Sequence, residues 1–210
     1  MEKDLRLFKV AGHCFGFGRM EGLAEGDTAN YAPFEVEADA REALFTVRQT
    51  TENLEAAERK LLFVSSEGTV EPRLDIFEAE DGSGDYFADM APVSTMPSVA
   101  TLRIPAGIAH AREGHPYVPV LFVKDVKYVK FALDNSMMLL YSFATSALGT
   151  LEMHASVIVN SGKGYLFLGK SGTGKSTQSR MWLESIEGAE LLNDDNPVVR
   201  AFPDGRVICY

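Results

Sequence analysis

The sequence predicts an α/β chain, α+β overall, with a mostly antiparallel β domain over residues 1–130 and an α/β domain over residues 131–210. Three observations predict it: short strand-like runs separated by turn residues, a change to helical periodicity near Asp134, and a glycine-rich loop that joins a strand to a helix. The chain has 210 residues and is 46% hydrophobic, which is enough for two small domains with packed cores.

The first 130 residues contain seven short runs with the composition of strands. In Phe34–Ala38 apolar residues alternate with acidic ones, which is the pattern of a strand with one face in water. Turn formers at Asp81–Asp85 and prolines in Ala91–Pro97 indicate loops, and Glu52–Lys60 is interpreted as a solvated linker, with a short helix as the alternative. The expected strands are Leu5–Val10, Phe34–Ala38, Ala43–Val47, Leu61–Ser65, Leu74–Glu78, Ala100–Ile104 and Val118–Val123.

Two features of this part resemble functional motifs but are interpreted otherwise. The glycines from Gly16 to Gly22 miss the spacing of a dinucleotide fingerprint by one residue, and no helix is expected after them, so they predict an ordinary turn. The histidines His13, His110 and His115 have no partner at metal-ligand spacing and are expected on the surface or in loops.

A helix is expected where the apolar period of the chain changes. Five apolar residues fall on one helical face, three residues before them can cap a helix, and Gly149 ends the pattern. We therefore expect the domain boundary near residue 130. The helical face consists of Met137, Leu140, Tyr141, Ala144 and Leu148, and the candidate caps are Asp134, Asn135 and Ser136.

The second part continues with a strand at Ala155–Asn160, a glycine-rich turn and a second strand at Tyr165–Leu168. The four residues between the strands suffice only for a hairpin, because a parallel pair needs a crossover of about a dozen residues or more. A helix over Ser176–Ile186 follows, and Gly188 is expected to stop it.

The loop between that strand and that helix matches G-x-x-x-x-G-K-S/T at every fixed position. Its glycines let backbone N–H groups face a β-phosphate, its lysine can reach the β- and γ-oxygens, and its serine hydroxyl can ligate Mg²⁺. The alternative is a strand-to-helix turn that binds nothing. The residues predicted to bind ATP are Gly169, Ser171, Gly172, Thr173, Gly174, Lys175, Ser176 and Thr177.

Three segments together resemble the HPr kinase/phosphorylase family and its relative, ATP-dependent phosphoenolpyruvate carboxykinase. They are His154–Val159, the loop Gly169–Ser176 and Leu191–Asp195, and an antiparallel strand precedes the loop. The resemblance implies a carboxykinase-like P-loop core that uses ATP. It does not extend to residues 1–130.

The same resemblance implies roles for three residues outside the loop. Asp194 would hold Mg²⁺ opposite Ser176 and Asp195 would accept a proton, although the two aspartates could exchange these roles. His154 would lie near the transferred phosphate, for positioning or proton transfer. The alternatives are a polar turn at the aspartates and a structural histidine. Thr177 departs from the kinase family, which usually has an acidic residue there.

Composition limits the partners of the chain. Its formal charge of −10 argues against a nucleic-acid surface. The longest apolar stretch, residues 137–148, is about half as long as a membrane span requires, and the N-terminus has no export signal. Cys14 and Cys209 lie far apart without ligand neighbours, so neither a disulfide nor a zinc site is predicted. We expect a cytoplasmic protein, and the oligomeric state is not indicated.

The expected function is ATP-dependent phosphoryl transfer with Mg²⁺ to a hydroxyl on a protein or a small molecule. A carboxykinase-like reaction on a small acid and a non-catalytic, ATP-binding regulatory role are the alternatives. The chain ends in an apolar hairpin, Pro197–Ala201 with Arg206–Tyr210, whereas the related domains continue further. We therefore expect a longer natural form, and better nucleotide binding than turnover by these residues.

Overall fold

A computed structural model describes residues 4–65, 71–170 and 172–210. Its architecture is mixed α/β, with one large, mostly antiparallel sheet, two three-stranded sheets and two α-helices in the described ranges. The chain divides into two compact units, one up to Ala144 and the other from Thr145 to Tyr210. The predicted loop residue Ser171 lies outside the described residues.

The first unit is built on an eight-stranded sheet. Its strands are β1 (Arg6–Val10), β2 (His13–Phe17), β3 (Ala43–Thr50), β4 (Arg59–Val64), β5 (Arg73–Ala79), β6 (Tyr86–Ala91), β7 (Ala100–Ile104) and β8 (Val120–Val123). Their order is β1-β2-β3-β8-β7-β6-β5-β4, and all neighbours are antiparallel except the pairs β2–β3 and β3–β8. The prediction of a mostly antiparallel sheet is confirmed.

Helix α1 (Val129–Ser146) packs on this sheet through a buried, mostly aliphatic face that includes Tyr141. The rings of Tyr141 and Phe15 form a T-shaped pair with centroids 5.1 Å apart, and Phe15 stacks on the fully buried Phe45 with centroids 5.8 Å apart. The Tyr141 hydroxyl donates a hydrogen bond of 3.1 Å to the carbonyl of Val10. These contacts place all but the last two residues of α1 in the first unit, so the division falls after Ala144 rather than near residue 130.

The start of α1 differs from the expectation. The helix begins at Val129, because a 3-10 turn at Val126–Tyr128 leads directly into it and Asp125 caps that turn. Asp134 lies inside the helix, where its carboxylate accepts a hydrogen bond of 2.6 Å from Lys130 one turn earlier. The predicted caps at 134–136 are therefore wrong.

Three further expectations for the first unit are wrong, one of them only in part. Residues 34–38 form no strand, because a 3-10 turn at Ala32–Phe34 leads into irregular chain. Gly16 lies in β2, whereas Gly22 lies in a turn as expected. A Cβ on Gly16 would sit 2.3 Å from the carbonyl oxygen of Arg6, so only glycine allows this close approach. His13 is buried in β2 instead of lying on the surface.

The described residues of the second unit form two three-stranded antiparallel sheets and one helix. Its elements are β9 (Thr150–Glu152), β10 (Ala155–Asn160), β11 (Lys163–Leu168), α2 (Lys175–Ser185), β12 (Glu190–Asn193), β13 (Val198–Ala201) and β14 (Val207–Cys209). The sheet orders are β11-β10-β12 and β14-β13-β9. The predicted β10–β11 and β13–β14 hairpins are confirmed.

Helix α2 covers one face of the sheet β11-β10-β12. Side chains two residues apart on a strand share a face, so Tyr165 and Phe167 of β11 point the same way. Trp182 of α2 packs against both, with ring centroids 4.8 and 5.5 Å apart. This packing holds α2 against the face of β11 that carries the two aromatic rings. No helix in the described ranges is long and apolar enough to cross a membrane.

Candidate functional site

The glycine-rich loop runs from the end of β11 at Leu168 to the start of α2 at Lys175. Gly172 and Gly174 have φ angles of +77° and +93°, a region that side chains with a Cβ rarely adopt. A Cβ on Gly169 would lie 2.5 Å from Oγ1 of Thr173, so that position also has room only for glycine. The two fixed glycines of the motif are thus required for different reasons: Gly174 for its backbone conformation and Gly169 for lack of space.

The loop is closed by a turn and followed by a helix N-terminus. The Thr173 hydroxyl donates a hydrogen bond of 2.8 Å to the carbonyl of Lys170, and the Thr173 N–H lies 3.2 Å from the same oxygen. Gly174 precedes the first turn of α2, and the N–H groups of a first turn have no partner inside the helix. These N–H groups and the helix dipole favour an anion at the loop.

The side chain of Lys175 lies back across the loop. Its Nζ donates to the carbonyl oxygens of Gly169 at 3.0 Å and Lys170 at 3.3 Å. It also lies 2.8 Å from Nε2 of His154, the residue just before β10. The structure therefore brings the loop lysine and the predicted histidine into direct contact.

His154 also connects the lysine to the aspartate pair. Its Nδ1 lies 3.2 Å from Oδ1 of Asp195. An ammonium group only donates hydrogen bonds, so with a neutral imidazole Nε2 accepts from Lys175 and Nδ1 carries the hydrogen that faces Asp195. The side chains of His154 and Asp195 are 52% and 70% exposed, so this chain of contacts is open to a ligand.

Asp194 points to different partners. Its Oδ1 accepts a hydrogen bond of 2.6 Å from the hydroxyl of Ser156 on β10, and the Ser156 oxygen lies 2.5 Å from the hydroxyl oxygen of Ser179 on α2. Both serines are buried. Sequence reasoning missed both, and the available signal for Ser156 was its position within the apolar run 155–159.

The aspartate pair is positioned by an irregularity at the end of β12. Val157 pairs with Asn193 but the next residue of β10 pairs with Leu191, so β12 carries one extra residue, Leu192. The Asn193 side chain accepts hydrogen bonds from the N–H groups of Asp195 at 2.9 Å and Asn196 at 3.0 Å. The pair thus lies on a side-chain-stabilised turn.

The remaining predicted site residues with hydroxyl groups near the helix N-terminus are Ser176 and Thr177. Ser176 and Thr177 are exposed on the first turn of α2, and in the described part of the chain no hydrogen bond links either to the aspartates. Burial raises the pKa of the Cys209 thiol in the same unit, which favours its protonated form.

The oxygen donors of the site are of the kind that bind Mg²⁺ together with phosphate oxygens and water, rather than a set that holds a metal by protein side chains alone. Among the described residues, no group of three or more His, Cys, Asp or Glu side chains could hold a metal ion. Mg²⁺ does not require such a group, because it usually takes one or two carboxylates together with phosphate oxygens and waters. A carboxylate at Asp194 and a hydroxyl at Ser176 fit that donor set.

No family model, no curated protein and no solved structure matches the chain. The resemblance to the HPr kinase/phosphorylase family therefore rests on the three sequence segments alone.

Proposed function

We propose that this chain is an ATP-dependent phosphotransferase that resembles the HPr kinase/phosphorylase family and has a carboxykinase-like P-loop core. One observation carries the proposal: the Nζ of Lys175 lies across a glycine-rich loop between a strand and a helix N-terminus, 3.0 Å from the carbonyl of Gly169. A lysine at this position neutralises the β- and γ-phosphates of a nucleotide in a P-loop.

ATP would be bound by the loop and the first turn of α2. Backbone N–H groups of the described loop residues 169–170 and 172–174 would face the β-phosphate, and the Lys175 ammonium would leave its carbonyl partners for the phosphate oxygens. Exchange of two neutral acceptors for charged ones favours this movement. Ser176 and Thr177, which are exposed on the first helical turn, would supply hydroxyl contacts.

Mg²⁺ would be held by Ser176 and Asp194. When bound, it would neutralise charge on the transferring phosphoryl group. The hydrogen bond of 2.6 Å from Ser156 to Oδ1 of Asp194 leaves the second oxygen, Oδ2, for the metal.

Asp195 would act as the base, with His154 as the group that orients it. The acceptor hydroxyl would give its proton to Asp195 while its oxygen forms a bond to the γ-phosphorus. The bond from the γ-phosphorus to the bridging oxygen would break, and ADP would leave. The contact of 3.2 Å from Nδ1 of His154 to Oδ1 of Asp195 supports this arrangement.

The proposal is tested by incubating the purified chain with [γ-³²P]ATP, Mg²⁺ and candidate acceptors, with the Lys175→Ala variant as control. Label on a polypeptide or a small-molecule hydroxyl that the variant does not produce would support it. Nucleotide-dependent decarboxylation of a small acid would favour the carboxykinase-like alternative. Tight ATP binding without transfer to any acceptor would favour the regulatory alternative, and no ATP binding would reject all three.

A further inference from the structure

Two buried serine hydroxyls connect helix α2 to the aspartate pair. Ser156 is fully buried on β10, and Ser179 is 2% exposed on α2, one helical turn after Lys175. The two hydroxyl oxygens are 2.5 Å apart, and Ser156 also reaches Oδ1 of Asp194 at 2.6 Å. A continuous chain of polar contacts therefore runs from the interior of the unit to an exposed carboxylate.

The direction of this chain follows from the chemistry of its groups. An ionised carboxylate only accepts hydrogen bonds, so the Ser156 hydroxyl donates to Asp194 and has its lone pairs left for Ser179. The Ser179 hydroxyl therefore donates to Ser156. Hydrogen bonds aligned in this way polarise one another, which strengthens the bond to the charged oxygen.

The position of the two serines is unusual for residues without a polar task. Ser156 and Ile158 share the face of β10 that α2 covers, and the neighbours of Ser156 along the strand, Ala155 and Val157, are fully buried as well. A buried hydroxyl without a hydrogen-bond partner is destabilising, whereas alanine would pack there without that cost. The hydrogen bond to Asp194, together with the contact between the two serines, satisfies these hydroxyls, which apolar packing alone would not do.

The geometry points to Ser156 and Ser179 as positioning residues, which hold the Asp194 carboxylate so that its second oxygen faces the metal–nucleotide complex. This inference rests on the proposed function, because it concerns the Mg²⁺ contact of the same site. It adds two residues to the site and connects α2, which begins with Lys175, to the carboxylate across the sheet. Neither serine is expected to touch the nucleotide.

The experiment measures Mn²⁺ binding by electron paramagnetic resonance in the presence of a non-hydrolysable ATP analogue. Groups that orient a metal ligand typically contribute about 10- to 100-fold to metal affinity. We expect a loss in that range for Ser156→Ala and a smaller loss for Ser179→Ala. Nucleotide affinity without metal should be unchanged in both variants.

A double-mutant comparison separates positioning from a general structural effect. If Ser156 acts through Asp194, Ser156→Ala should cause no further loss of Mn²⁺ affinity once Asp194→Asn is present. The same two changes in the metal-free protein should be non-additive in thermal unfolding, which is a readout independent of metal. Val157→Ala is the control, because it destabilises the same strand without removing a hydroxyl and should leave Mn²⁺ affinity unchanged.

The possible results are distinct. Unchanged Mn²⁺ affinity in Ser156→Ala, or an equal loss with and without Asp194→Asn, would overturn the positioning role while the proposed function stands. Absence of metal-dependent nucleotide binding in the wild-type chain would reject the proposed function itself. If Ser156→Ala does not fold, Ser179→Ala carries the same comparison, since alanine is the best helix former.

Discussion

The Nζ atom of Lys175 lies 2.8 Å from Nε2 of His154, although the two residues are far apart in the chain. The β10–β11 hairpin explains the contact: His154 precedes the first strand and the loop follows the second, so both lie at the open end of the hairpin. The lysine ammonium is shared between the imidazole and two loop carbonyls. Phosphate oxygens would compete with these partners.

Replacing Lys175 tests whether the glycine-rich loop binds ATP. Lys175→Ala removes a charge-assisted contact worth roughly 1.5–3 kcal/mol, so ATP affinity should fall about 10- to 100-fold while the fold is retained. Isothermal titration calorimetry measures the affinity. Lys163→Ala, which removes the same charge from an exposed position at the other end of β11, is the control. Equal affinity in Lys175→Ala and wild type would contradict the assignment of the loop.

Replacing both aspartates tests the metal dependence. Asp194→Asn with Asp195→Asn keeps the shape and the turn propensity of the segment but removes two negative charges that can face Mg²⁺. We expect Mg²⁺-dependent nucleotide binding and any turnover to be lost, and metal-free nucleotide binding to persist. Glu184→Gln, which removes an exposed charge from α2, serves as the comparison. Full metal dependence in the double variant would mean that the aspartates form a polar turn and do not contact the metal.

His154→Ala should separate binding from turnover. The variant removes one competing partner of Lys175, worth about 1 kcal/mol, so ATP should bind as well as before or about fivefold more tightly. Turnover should fall by up to about 100-fold, because Asp195 loses the group that orients it. Steady-state kinetics with calorimetry measures both quantities, and His115→Ala, at an exposed histidine of the first unit, should change neither. Lower affinity with normal turnover would be the opposite of this expectation.

The left-handed conformation of Gly174 predicts a local stability cost. Gly174→Ala forces a Cβ into φ +93° and should destabilise the chain by roughly 1–2 kcal/mol, with weaker ATP binding. Gly164→Ala is a matched control, because Gly164 lies in strand β11 and a Cβ there meets its nearest neighbour at an ordinary 3.6 Å. Denaturant unfolding followed by circular dichroism compares them. Similar unfolding free energies for the two variants would contradict the strain argument.

A pH-dependent contribution to stability is expected from Glu35 in the first unit. Hydrogen bonds from Arg6, at 2.7 and 2.8 Å, hold the pKa of the Glu35 carboxyl below its usual value. Because the pKa is lower in the folded state, this contribution is present above the unfolded pKa and is lost as pH falls through the folded pKa.

The measurement is denaturant unfolding of wild type and Glu35→Gln between about pH 6 and pH 3. The variant should be less stable near neutral pH, and the difference should shrink on acidification. Glu37→Gln, which removes the same charge two residues away, is the control. A difference that grows as pH falls would have the wrong sign.

The local pattern predicted the second unit well. The bounds of β10 match the expected strand, α2 is shifted by one residue, and both hairpins are present. These elements are joined by short connections with strong turn chemistry, so local sequence decides them. In the first unit, the segment Glu52–Lys60 is not a plain linker, because it holds a 3-10 turn at Leu54–Ala56 and the start of β4.

The first unit shows where local pattern is insufficient. Strands β2 and β6 were missed because burial on both faces removes the alternation that marks a strand. The serines of the site were missed for a related reason. The hydroxyl of Ser156, in an apolar strand, can be recognised as part of the site only from its hydrogen bond to Asp194. Asp194 lies far along the chain and follows the irregular end of β12, which local sequence does not predict.

The β10–β11 hairpin has a consequence for engineering this chain. Its turn, residues 161–162, lies at the end of the hairpin opposite to the loop and His154. Added residues at that turn, such as a short epitope or a fluorophore-bearing linker, should be tolerated because the paired register from Ala155 to Leu168 is unaffected. Deletion of one residue within either strand would instead turn its remaining side chains to the opposite face and separate His154 from Lys175.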